Sequence, residues 1–164
     1  MADIDIAIAI TIRNEGGFVD NPNDPGGRTK YGITQRDLDI TAPGTDVETI
    51  TPAFATNWYK TTTHPQRYNN PLYSQIEDQV AANKIFDLGV LFGVGEAVEL
   101  MQGILKLVVD GNFGPLSLAA VNESDPHSLL VAYKTVFVQH AINIGAAKPS
   151  ERLFVAGWIR RINS

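Results

Sequence analysis

Isoleucine occupies every second position from Ile4 to Ile12, with Asp5, Ala7, Ala9 and Thr11 between. A period of two is the mark of a strand. The same residues also satisfy a helix. Ile4, Ala7, Ile8 and Ile12 fall on one face at helical spacing. Ala2, Ala7 and Ala9 favour helix, and Asp3 is a good N-cap. Periodicity alone leans to a strand, whereas composition and capping lean to a helix.

Downstream the punctuation is clearer. Thr34, with Asp37 three residues on, predicts a short helix over 34–38. Pro43-Gly44 marks a turn. Thr51-Pro52 sets a cap before a proline at the first helical position, predicting a helix through Trp58 and Tyr59 to about Lys60. The stretch 61–71 holds Pro65, Asn69, Asn70 and Pro71 and reads as loop. Ile76, Val80, Ile85, Leu88 and Phe92 predict a helix over 76–92, ended by Gly93. Another follows over 94–107, with Ala97, Val98, Met101, Ile104 and Leu105 inward. After a loop around Asp110-Gly111 and Gly114-Pro115, Ser117 is expected to cap a short helix to Val121. Pro126 opens a long apolar helix to about Ile144, and Pro149-Ser150 open the last, ending near Ile162. The result is a mostly α protein of roughly seven or eight helices.

Residues 15–34, EGGFVDNPNDPGGRTKYGIT, break this pattern. Five glycines and two prolines stand among the acids Glu15, Asp20 and Asp24. Glycine supplies backbone angles that other residues resist, and proline fixes φ and removes a donor. The stretch therefore predicts a shaped loop with a small β element over 18–34. Acids in such a loop are either solvated turn residues or a site. No calcium-type loop of alternating acids ending in Glu is present, and no metal or cofactor is expected.

Composition narrows the classes. A chain of 164 residues with 44% hydrophobic content makes one domain with a sizeable core. There is no cysteine, hence no disulfide or thiolate metal site. His64, His127 and His140 stand too far apart for ligand spacing. A net charge of −5 and a pI of about 5.1 argue against a nucleic-acid partner. No apolar run approaches the ~18 residues of a membrane span, and no signal peptide is visible. Basic residues gather around the loop (Arg13, Arg28, Lys30, Arg36) and at the C-terminus (Lys148, Arg152, Arg160, Arg161). They are either solvated surface charges or contacts for the carboxylates and phosphates of an anionic partner.

Four motifs carry a family resemblance. E-G-G-F followed by D-P-G-G-x-T-x-x-G-I-T resembles the signature of glycoside hydrolase family 108, the phage and bacterial muramidases that include endolysins and secretion-activator lysozymes. Ala82 to Asp87, ANKIFD, is similar to the family's A-x-x-x-F-D helix. Asp110 to Ser117, DGNFGPLS, resembles the turn of its peptidoglycan-binding-like portion, with Ser where the family prefers Thr. Phe154 to Arg161, FVAGWIRR, resembles its terminal F-x-x-G-W-x-x-R. Leu91 and Phe92 stand where the family usually has Asn.

The resemblance implies a single lysozyme-like helical domain over 1–164, in which a β-hairpin or loop carries part of the active site. The part from about residue 94 would be a peptidoglycan-binding-like helical subdomain. It also implies a first helix that carries Glu15 at its C-terminal end, which decides the conflict at residues 3–14 for helix. Glu15 would be the catalytic acid and Asp24 the second carboxylate, with Asp20 as its rival. Thr29 would hold a water. Cutting a glycosidic bond needs a proton for the leaving oxygen, and a negative group or activated water on the other face. The order also resembles that of the T4-type phage lysozymes, E-x8-D-x5-T, but here one residue is missing before Thr29.

Tyr31, Trp58, Tyr59 and Tyr73 are candidate sugar platforms, because aromatic faces bury ring C–H groups; core packing is the competing use. The expected partner is bacterial peptidoglycan, with no membrane insertion, for a monomer. The bond cut would lie between N-acetylmuramic acid and N-acetylglucosamine. Two other readings are a lytic transglycosylase using Glu15 alone and an inactive wall-binding module. Without a visible signal peptide, an endolysin of this kind would be made in the host cytoplasm and reach the wall after release by a holin-like factor.

Overall fold

The computed structural model describes residues 1–20, 27–62 and 68–164. Among these, eight α-helices and one two-stranded antiparallel sheet form the lysozyme-like, mostly α fold. The first helix, α1 (Ile4–Glu15), settles the conflict in the sequence. Asp3 caps it by accepting from the Asp5 N–H, and Ala7, Ile8, Thr11 and Ile12 are buried. Ile6 of the alternating set is exposed, as a helix requires. Gly16 stops the helix at φ +75°, its N–H bonded to the Ile12 carbonyl.

Strands β1 (Thr29–Lys30) and β2 (Ile33–Thr34) pair around a two-residue turn, Tyr31-Gly32. Both turn residues have positive φ, +55° and +78°, the geometry that matches the twist of a tight hairpin. An isolated bridge pairs Val19 with Thr29. Helix α2 (Gln35–Thr41) follows, with Thr34 and Asp37 forming a reciprocal capping box. Helix α3 (Pro52–Thr61) starts on the Thr51 cap.

Helix α4 (Gln79–Phe92) begins three residues later than the apolar spacing predicts. Asp78 caps it by accepting from the Ala81 N–H. Ile76 is buried ahead of the helix, and Val80, expected inward, is 58% exposed. Gly93 ends α4 and leads into α5 (Val94–Ile104). Helix α6 (Pro115–Glu123) starts at the proline, not at Ser117. Ser117 is buried and shares hydrogen bonds with Gln102 and the Asn112 carbonyl, so it is no cap. Helices α7 (Pro126–Ala147) and α8 (Arg152–Asn163) complete the chain.

Helix α1 lies along α4 and touches α3; α8 folds back on α7, which leans on α4 and α5. Two aromatic clusters fill the core. Trp58, Tyr59, Tyr68, Tyr73 and Phe86 make edge-on and tilted contacts in the first. Phe92, Phe137 and Trp158 meet in the second. Phe92, which with Leu91 stands where an Asn is expected, thus joins α4, α7 and α8. Among the described residues, no helix is long and apolar enough to cross a membrane.

Candidate active site

Glu15 ends α1, and the hairpin turn, α3 and α8 gather around its side chain. The hairpin turn passes close to it. A Cβ added at Gly32 would stand 2.9 Å from Glu15 Cγ and 2.5 Å from the Tyr59 hydroxyl. Glycine is therefore required there for close approach as well as for its positive φ. Tyr59, from α3, donates its hydroxyl hydrogen to the Tyr31 carbonyl at 2.8 Å, which fixes the turn against the helix end. Burial first, and then the Glu15 carboxylate, push the Tyr59 phenol well above its usual range, so it stays a donor.

The hydrogen bond to the Glu15 carboxyl comes from the far end of the chain. Arg161 Nη1, on α8, donates to Glu15 Oε1 at 2.6 Å. The rest of the guanidinium grips Asp87 of α4: Nη2 to Oδ1 is 2.9 Å, and Nε lies 3.2 and 3.3 Å from the two oxygens. Asp87 is 1% exposed at its side chain, Arg161 11% and Glu15 17%. Asn14 Nδ2 also donates to Asp87 Oδ1, and Lys84 Nζ lies 3.9 Å from Oδ2. Burial opposes the Arg161 charge, but Glu15 and Asp87 outweigh it and hold the guanidinium above its ordinary range. Burial pulls the Lys84 ammonium down, partly offset by Asp87.

The other candidates fall in different settings. Thr29 stands on β1, and its hydroxyl donates to the Gly27 carbonyl at 3.0 Å. The Val19–Thr29 bridge ties together the two ends of the stretch that carries Asp24, while Asp24 itself lies outside the described residues. Asp20 is exposed. Tyr31 is half-buried at the hairpin, with Lys30 Nζ 5.5 Å over its ring. Trp58, Tyr59 and Tyr73 are buried in the core. Their rings are covered by Tyr68, Phe86 and Phe113, so packing accounts for them and none of the three offers a face to a sugar.

The basic residues divide as well. Arg28 pairs with Asp46 and Glu48, and Lys30 Nζ donates to the Glu48 carbonyl. Arg161 is no surface charge. The sequence did hold a signal for it: Glu15, Asp87 and Arg161 each close or open one of the motifs singled out above. Among the described residues, no group of three or more His, Asp or Glu side chains is placed to hold a metal.

Comparisons with known proteins bear on the family and the fold. Residues 8–93 match the family described as glycosyl hydrolase 108. Residues 96–163 match one described as "Predicted Peptidoglycan domain". The structure of Brucella abortus SagA superposes with a TM-score of 0.75 at 23% identity, over 96% of this chain and 88% of that one. No curated protein matches. Glu15 and Asp87 fall within the first family match and Arg161 within the second.

Proposed function

The chain belongs to the glycosyl hydrolase 108 family and is a glycoside hydrolase directed at peptidoglycan; from that premise we propose that it cleaves the bond between N-acetylmuramic acid and N-acetylglucosamine, with Glu15 as general acid. The observation that carries this reading is the setting of Glu15. Its carboxyl is partly exposed, pressed by the hairpin turn and held on one oxygen by Arg161. A proton donor needs this kind of fixed position before chemistry begins.

In the proposed step Glu15 gives its proton to the glycosidic oxygen. The carbon–oxygen bond breaks and its electron pair goes to that oxygen. On the other face the water oriented by Thr29 forms the new bond to the anomeric carbon and loses its proton to the Asp24 carboxylate. The Thr29 hydroxyl spends its hydrogen on Gly27 and keeps its lone pairs, so it can accept from a water. Of the four candidate sugar platforms, Tyr31 is the one that is not buried in the core.

We read residues 1–164 as one lysozyme-like domain whose helical part from about 94 serves as a peptidoglycan-binding subdomain. The same reading makes the protein a monomeric phage or prophage endolysin, made in the host cytoplasm and passed to the wall by a holin-like factor.

The test is digestion of purified sacculi with mass analysis of the soluble fragments. A muramidase leaves hydrated reducing-end muramic acid. Anhydro ends would assign a transglycosylase instead, and binding without release of fragments would leave only a wall-binding module.

A further inference from the structure

We infer that Arg161, anchored on Asp87, is a positioning residue for the Glu15 carboxyl, so that the C-terminal helix completes the active site of the N-terminal half. This rests on the reading of Glu15 as the acid.

The geometry is specific. A guanidinium is a rigid planar fork with five N–H groups. Its Nε and Nη2 edge lies on Asp87, with Nη2 also 3.3 Å from the Asp87 carbonyl. Fixing that edge fixes the direction of Nη1, which points at Glu15 Oε1. Asp87 is itself held by Asn14, the residue before Glu15 in the chain. Lys84 Nζ donates to the Arg161 carbonyl at 3.1 Å, which ties the end of α8 to α4. Four side chains from α1, α4 and α8 thus brace one carboxyl.

The charges suit a group that must be neutral before the reaction and ionised after it. While Glu15 carries its proton, Arg161 is still matched by Asp87, and no unpaired charge is left buried. Once the proton has gone to the leaving oxygen, the new carboxylate already faces a charged donor. Nothing has to move to stabilise it, which is the condition for effective electrostatic catalysis. A purely structural ion pair between α4 and α8 would need Arg161 and Asp87 only; the bond to Glu15 is the part that structure alone does not demand.

The experiment uses the full chain and purified peptidoglycan, with initial rates measured across pH for Arg161→Gln, Arg161→Lys and Asp87→Asn. Among the described residues, the charged or titratable groups around Glu15 are Arg161, Asp87, Lys84 and the Tyr59 and Tyr68 phenols, with Asp37 beyond the phenols. Arg161→Gln should lower kcat by about 10–100-fold, the cost of a misplaced reacting group, with KM within about twofold. Its alkaline limb should move to higher pH, because the cation beside the acid is gone. Asp87→Asn should move that limb the other way, because the guanidinium charge then falls on Glu15 alone. Arg161→Lys should bring the limb back toward wild type but not the full rate, since a point-like ammonium lacks the rigid fork that grips Asp87 and aims at Glu15 together.

Limbs that stay in place in folded variants, with rates falling only as far as the folded fraction does, would overturn the inference. If Arg161→Gln does not fold, the direction of the Asp87→Asn limb and the Lys rescue decide alone. Wild-type activity in Glu15→Gln would instead remove the underlying reading, a separate outcome.

Discussion

Tyr59 donates to the Tyr31 carbonyl across 28 positions of sequence, at 2.8 Å. The bond holds a turn whose first residue, Tyr31, has φ +55° without being glycine. Such a residue costs about 1–2 kcal/mol relative to ordinary backbone, so the turn needs support from outside. Tyr59→Phe keeps the ring in the core and removes the donor. The loss should be about 1–3 kcal/mol, the cost of leaving a covered acceptor unpaired. Urea unfolding measures it. Activity should fall as well, because the turn packs on Glu15; an unchanged midpoint would mean that the turn stands without Tyr59.

Gly32→Ala tests the close approach directly. The new methyl would meet Glu15 Cγ and the Tyr59 hydroxyl at 2.9 and 2.5 Å, at a backbone angle of φ +78°. Backbone strain alone should cost about 1 kcal/mol or more. The side chain that gives way is Glu15 or Tyr59, so lysis should drop more than stability does. Thermal melting and a turbidity assay on the same preparation compare the two. Full activity at a lowered Tm would show that Glu15 tolerates displacement.

A third prediction concerns the loop at 110–114. Gln102, buried on α5, accepts from the N–H groups of Asp110 and Gly111 and donates to the Asp110 carboxylate at 2.7 Å. The Gln102 side chain, and then the Asn112 N–H, hold the Asp110 carboxyl below its usual range. A depressed folded-state value adds stability that is present above the unfolded value, about 3.9, and is lost as pH falls through the folded one. Asp110→Asn should therefore be less stable than wild type at pH 6, and the gap should close in more acid solution, once pH has fallen through the folded-state value that lies below about 3.9. Melting curves over that pH range check it. A gap that persists in acid would assign the effect to the amide and not to the charge.

Much of the fold was legible because its punctuation is local. Thr34 with Asp37, Thr51 with Pro52, and Gly93 each act within one turn of helix, and each appears where the sequence puts it. Ser117 and Ile76 misled for the opposite reason. Ser117 is a cap by residue type, but Gln102 on α5 holds it buried, and Ile76 fits the apolar spacing, but it is buried ahead of the Asp78 cap with its carbonyl accepting from the distant Ala2 N–H. The first helix shows the limit of periodicity: a run of alternating isoleucines fits a strand, and Ile6 on the surface is what folding it as a helix costs. At the site, Glu15 could be found because a helix stop and a glycine-rich loop mark it. Arg161 carries only the weaker mark of closing a terminal motif, because its partner Glu15 lies 146 residues away and two basic residues side by side read as a solvated patch. Tyr59 was singled out for its ring, yet its hydroxyl is what serves the site.

The most direct test of Glu15 is Glu15→Gln, which keeps the shape and the Arg161 contact but cannot donate a proton. Circular dichroism should show it folded. Reducing-end release from purified peptidoglycan should fall by about 10⁴-fold or more, at or beyond the top of the range for general acid catalysis. A folded Glu15→Gln protein that releases fragments at the wild-type rate would contradict the assignment of Glu15, and with it the muramidase mechanism.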